Sequence, residues 1–189
     1  MPLRRICVAW DASLPSRWAL AFATRLARGG RAELIIAHVV PPGTDEIAIP
    51  LPPGTHVLSG RTAEQLVWLA QRERIDVLVA GTRPLAGSAR LIAPRLRHEL
   101  LASAPCAVVL VRHPPVLDRG TCLLAGGDAD AAATLAAALD ARLVHREERP
   151  PLLAVTSRER FHGLRRRLGT SAVDDLIETV DCPVAVARG

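Results

Sequence analysis

Glycine, serine and arginine cluster directly after an apolar run. Gly81 closes Val77 to Ala80, and Arg83, Gly87, Ser88, Arg90 and Arg95 follow it. Glycines let backbone N–H groups approach a phosphate closely, a helix N-terminus adds a favourable dipole, and arginine neutralises the anion. Two prolines work against that chemistry. Pro84 has no N–H and holds φ near about −65°, and Pro94 suits the first turn of a helix but offers no amide there. The loop reads as a phosphate cradle with parts missing, and solvated loop arginines account for the same charges. Upstream, Asp11 follows another short apolar run. Its carboxylate could face a ligand or cap the helix behind it, and the two roles are compatible.

Other chemistries are excluded by composition. All 24 basic residues are arginine, and the chain has no lysine and no tyrosine. A Walker lysine, a Schiff-base lysine and a catalytic tyrosine are therefore ruled out. No Ser/His/Asp, Cys/His or HExxH arrangement occurs; His38, His98 and His113 are scattered, and His162 sits among arginines without a pattern. Ala125 to Asp130, AGGDAD, faintly resembles the SGGxDS pyrophosphate loop of adenylating enzymes on a related fold. Its serine is absent, and Ala129 stands where the aspartate belongs. The chain is expected not to be an enzyme. Cys7, Cys106, Cys122 and Cys182 lack metal or redox spacing and read as buried small hydrophobes. The net charge of +5 comes from widely spread arginines, with one dense run at Arg158, Arg160 and 165–167. That pattern suits a solvated basic face better than a nucleic-acid footprint. No apolar run reaches the length of a membrane span, and the N-terminus lacks a secretory apolar segment, so a cytoplasmic location is expected.

The elements that must position these residues are written in a repeat. Residues 76–112, ending in Arg112, recur in worn form as 152–188, ending in Arg188. Each copy reads as a buried strand, a loop, an amphipathic helix and a Cys-led strand. Earlier, Arg4 to Ala9 reads as a first strand, with Ser13 or Ser16 capping a helix whose Trp18, Phe22 and Leu26 share one face and which Gly29-Gly30 ends. Glu33 to Val40 is a second strand, Pro41 to Gly54 a proline-rich loop, and His56 to Ser59 a third strand. Thr62 caps a further helix. Alternating strands and helices imply right-handed crossovers and a parallel sheet covered on both faces. After a linker, Thr121 to Ala125 matches the first strand, and Asp130 to Ala141 replaces the first helix. Leu143 to His145 is a reduced second strand, and the third strand with its helix is missing. The expected organisation is residues 1–113, a linker 114–119, and a truncated copy 120–189 that needs the first for stability.

The segments RICVAWDAS, AELIIAHVV and DVLVAGT…G…APCAVVLVR resemble the universal stress protein family. The resemblance covers nearly all of 1–113 and, more faintly, 120–189. It implies a flavodoxin-like α/β sandwich with strand order 3-2-1-4-5, and familiar dimers or tandem forms. Many members bind ATP through G-x2-G-x9-G-[ST] after the fourth strand. Ligands of open parallel sheets lie beyond the strand C-termini where the strand order reverses, which would bring Asp11 near the Gly81 loop. The implied ATP-site residues are Asp11, Ser13, Val39, Gly81, Arg83, Gly87, Ser88 and Arg95. Here Pro84, Pro94 and Arg95 interrupt the pattern. In the second copy Thr156 stands for the first glycine and Glu159 for the second, while Gly169-Thr170 survives at the third. Gly126 falls opposite Asp11, and Asp128 opposite Ser13.

The resemblance implies a regulatory, stress-response protein with a degenerate nucleotide loop, acting through dimerisation or partners. The alternative is an ATP-binding member whose arginines replace the lost glycines. In the family the fifth strand sits at the dimer edge. Val108 to Val111 and Val184 to Val186 are therefore expected to pair, either between copies in a homodimer or within one chain as a pseudo-dimer.

Overall fold

The computed structural model describes residues 2–44, 49–82, 94–118, 120–145, 151–158 and 172–187. Its strands are β1 (Arg5–Ala9), β2 (Glu33–Val40), β3 (His56–Ser59), β4 (Val77–Gly81), β5 (Ala107–Val111), β6 (Thr121–Leu124), β7 (Arg142–Val144), β8 (Leu153–Ser157) and β9 (Val184–Ala187). The helices are α1 (Leu14–Gly30), α2 (Thr62–Arg72), α3 (Pro94–Ser103), α4 (Ala129–Ala138) and α5 (Ala172–Thr179). The strands form one sheet in the order β3-β2-β1-β4-β5-β9-β8-β6-β7. The first five strands have the order 3-2-1-4-5 of the flavodoxin-like α/β sandwich. The run β7-β6-β8-β9 repeats β2-β1-β4-β5, with no counterpart of β3 among the described residues.

All strand pairs within each run are parallel; β5 and β9 join the runs antiparallel, with Val108 opposite Val186, Val109 opposite Ala185 and Leu110 opposite Val184. Side chains alternate between faces along a strand, and the alternation passes unbroken through this junction. Leu78, Val108, Leu110, Val184, Val186 and Ala154 point to one face, under α2, α3 and α5. Val79, Val109, Ala185, Val155 and Cys122 point to the other, under α1 and α4. Both hydrophobic cores thus run across both parts of the chain. Burial on both faces explains why the strands are continuous apolar runs rather than alternating ones.

The helix ends differ from expectation in two places. Ser13 does cap α1, accepting the Ser16 N–H at 3.3 Å. Its C-terminus, however, is closed by Arg31, in the left-handed region at φ 53°, whose N–H reaches the Ala27 and Arg28 carbonyls. Gly29 and Gly30 lie inside the helix, and Gly29 is small for another reason. A Cβ there would strike the backbone carbonyl of Ala138 at the end of α4. The glycine lets the two helices cross closely, and Arg25 Nη2 donates to the Leu139 carbonyl at 3.0 Å beside the crossing. In α2 the cap position is Arg61, with no side-chain cap bond, and Thr62 is the first helical residue. Thr62 therefore does not cap this helix; Arg61 instead pairs with Glu64 at 2.8 Å.

The four cysteines are buried and form no disulfide. Burial, reinforced by the Cys106 charge, pushes the Cys7 thiol up from an ordinary 9.0 to about 12, and burial alone does the same for Cys122. They pack as small apolar groups. No helix among the described residues is long and apolar enough to cross a membrane.

Candidate functional site

The strand order reverses between β1 and β4, and a crevice opens beyond their C-terminal ends. Trp10 and Asp11 follow β1; Gly81 and Thr82 end β4. Two adjoining cavities share Asp11, Ala80, Gly81 and Leu96 as walls. The smaller, of about 190 Å³, is completed by Ser13, Thr82 and Arg97. The larger, of about 310 Å³, extends under Trp10, His38 and Val39. Asp11, Ser13, Val39 and Gly81, four of the residues singled out in the sequence, therefore meet at one place. Arg83, Gly87 and Ser88 lie outside the described residues, as does the side chain of Arg95, whose backbone is the second residue of α3.

The walls are locally fixed. Asp11 Oδ1 accepts the Ser13 N–H at 3.0 Å, so it tightens the turn before the helix while Ser13 makes the cap. The turn passes through Ala12 at φ 58°. His38 Nδ1 donates to the Trp10 carbonyl at 2.8 Å, and Trp10 Nε1 donates to the Pro50 carbonyl at 2.9 Å. The histidine is a strap holding the strand end, and the tryptophan ties down the proline-rich loop.

Gly81 is required by packing alone. A Cβ there would lie 2.5 Å from the Pro15 carbonyl oxygen and 2.6 Å from the Ser16 nitrogen, backbone atoms of the first turn of α1. The second part meets similar crowding from the opposite side. Its cap, Asp128, accepts the Ala131 N–H at 2.9 Å, and the preceding Gly127, at φ +106°, would place a Cβ 2.6 Å from Ser157 Oγ. The strand-end residue matching Gly81 is thus Ser157, paired with Ala187 as Gly81 is with Val111. Thr156 does not hold that position; it is buried one residue earlier in β8.

Arg97, Thr82 and Glu178 escaped notice in the sequence, where Arg112 was read only as the end of the first copy. Arg97 is 7% exposed and lines the smaller cavity. Its signal was helical spacing, because it stands three and four residues before Leu100 and Leu101, both fully buried. The Thr82 hydroxyl is buried with no hydrogen-bond partner among the described residues, an uncommon state that asks for a reason. From the dense arginine run, Arg158 is spent inside the molecule. Its guanidinium donates to the Ala104 and Cys106 carbonyls at 2.9 and 3.2 Å, closing the end of α3. Among the described residues no group of His, Cys, Asp and Glu is arranged to hold a metal ion.

In a doubly wound α/β sheet the crevice at the switch point is where ligands bind when they do. Comparison with known proteins narrows the reading. No family model matches the chain. A universal stress protein encoded in the QAH/OAS sulfhydrylase 3' region of Thermus aquaticus is 27% identical over 135 residues, covering 58% of this chain and 98% of that protein. A universal stress protein from Archaeoglobus fulgidus superposes with a TM-score of 0.60 at 11% identity, over 97% of this chain and 96% of that one. A functionally unknown protein from Pseudomonas aeruginosa superposes at 0.61 and 12% identity, over 98% and 92%. The two structures share the fold over the whole length. In sequence and in fold, the chain is universal-stress-protein-like.

Proposed function

We propose that this chain is a universal stress-type regulatory protein and not an enzyme, working in the cytoplasm as a self-contained pseudo-dimer that acts through protein partners. The observation that carries the reading is the antiparallel β5–β9 pair. An exposed β5 edge would offer unpaired N–H and C=O groups to a second copy. Here β9 takes those groups, and the two cores close over the junction. The crevice residues Asp11 and Ser13 are already engaged with backbone amides, which suits a fixed wall better than a nucleophile and its base. The spending of Arg158 on carbonyls weakens the case for nucleic acid. Light scattering on the purified protein tests the assembly: a mass near 20.2 kDa supports the pseudo-dimer, and twice that mass overturns it.

A second reading, ATP in the crevice, is favoured by the convergence of Asp11, Ser13, Val39 and Gly81 and by the orphaned Thr82 hydroxyl. Thermal unfolding with and without Mg-ATP tests it. At 100 times its dissociation constant the ligand adds about 2.7 kcal/mol, and Asp11→Ala would abolish the shift. No shift at millimolar ATP refutes it.

A further inference from the structure

Far from the crevice, a groove of about 400 Å³ lies on the outer side of α2 and α3. Ala63 and Ser103 are too small to fill it, and Val67 on its wall packs down onto the core. Trp68 lines the same groove and is 44% exposed. The other described aromatic side chains behave differently, since Trp10 and Phe22 are buried and Trp18 is partly so. The ring of Trp68 is held in place, because the Arg72 guanidinium lies over it at 4.7 Å from the centroid, a cation–π contact. Glu64, Trp68 and Arg72 are spaced i, i+4, i+8, so one exposed stripe of α2 carries acid, aromatic and base in order. At the acidic end Arg61 is divided between Glu64 at 2.8 Å and Glu99 at 3.6 Å. All three side chains are exposed, and exposed ion pairs contribute little, so they re-pair with a newcomer at small cost.

We propose that this groove docks an amphipathic helix of a protein partner, with an apolar residue against Trp68 and a basic residue, one turn away, against Glu64 and Glu99. The inference rests on the partner reading above and supplies the surface for it. Tryptophan and arginine are the side chains that most often carry binding energy at interfaces, and a ring already fixed by Arg72 loses little freedom on contact. A groove beside two helices takes a third through anchors at i and i+4. Charge decides the partner's chemistry. The chain as a whole carries +5 and attracts acidic segments. In this groove two carboxylates share one arginine among the described residues, and a base is favoured.

Isothermal titration calorimetry on the full chain tests this with two designed helical peptides of about 18 residues. One carries Leu and Arg at i and i+4 on an otherwise neutral helix, and the control has Glu in place of that Arg. The Arg peptide should bind about tenfold more tightly than the control, against the pull of the net charge, and should shift the tryptophan emission to the blue. Trp68→Ala should weaken it about tenfold, and Glu64→Arg should reverse the preference. Both substitutions fall at exposed positions, and circular dichroism checks that the variants fold. No binding at about 1 mM peptide overturns the proposal, as does equal binding of the two peptides or binding that Trp68→Ala leaves unchanged. Light scattering separates this from the reading beneath it. A mass near 20.2 kDa without peptide binding leaves the pseudo-dimer standing and removes the groove. A doubled mass that Trp68→Ala returns to that of one chain gives the groove to a second copy and overturns both.

Discussion

Replacing Gly81 by alanine separates two reasons for a glycine at the mouth of the crevice. Gly81 ends β4 and lies outside the left-handed region, so nothing in its backbone forbids alanine. On conformational entropy alone the change should stabilise the protein by roughly 0.5–1 kcal/mol. Against this stands the first turn of α1, with the Pro15 carbonyl oxygen 2.5 Å and the Ser16 nitrogen 2.6 Å from the new Cβ, where 3.4 Å is the lower edge of ordinary contact. Relief needs a retreat of roughly 1 Å by backbone, not by a flexible side-chain tip. That turn is held by Ser13 and Ser16 and rests on fully buried Ala19 and Phe22, so it is poorly placed to move. Overpacking of this kind costs about 1–3 kcal/mol, which outweighs the entropic gain. Urea unfolding without any ligand should show a loss of about 1–2 kcal/mol at unchanged m-value. If Gly81→Ala is as stable as the parent and only ligand binding suffers, the glycine serves phosphate approach and the packing reasoning is wrong.

Gly29→Ala should cost more than Gly81→Ala, because the new methyl meets the Ala138 carbonyl at the crossing of α1 and α4; differential scanning calorimetry ranks the two. Arg158→Ala should destabilise the fold by about 1–3 kcal/mol, since it strips donors from the Ala104 and Cys106 carbonyls; chemical denaturation with a parent-like result would contradict that role. The thiols define a pH window. The native pKa values of Cys7 and Cys122 are raised to about 12, so above the unfolded value of 9.0 the native state holds more protons than the unfolded one. Stability is therefore full below pH 9 and falls toward pH 12, by up to about 1.4 kcal/mol per unit for each thiol. Denaturation at pH 8 and pH 10.5 should show the fall, and it should shrink in Cys7→Ala.

Much of the architecture was legible because it is written locally. The runs at Ile6 to Val8, Val77 to Ala80 and Val108 to Val111 could only be strands covered on both faces, and the helices between them only crossovers. The α/β sandwich order followed from the resemblance carried by RICVAWDAS and DVLVAGT, and the sheet has it. Asp11 and Gly81 were also within reach, because a crevice at the switch point follows from the strand order that the resemblance implies, and Ser13 and Val39 came with that resemblance. What escaped were roles decided by residues distant in the chain. Gly81 and Gly29 read as a phosphate contact and a helix stop; both are small because another backbone passes close by. Arg158 read as part of a solvated basic run and turned out to close α3.

Periodicity and residue type by themselves determined the strands, the helices and the parallel character of each run, and they led to the expectation of no third strand in the second part, which has none among the described residues. Those properties depend on neighbours a few positions away, which a sequence displays directly. Only the tertiary structure decided that β5 pairs with β9 within one chain and in which register, that α1 crosses α4 at Gly29, and that Glu178 faces Arg97 and Arg112. Each is a meeting of groups far apart in the chain, and no local pattern encodes which distant atom will occupy the space beside a residue.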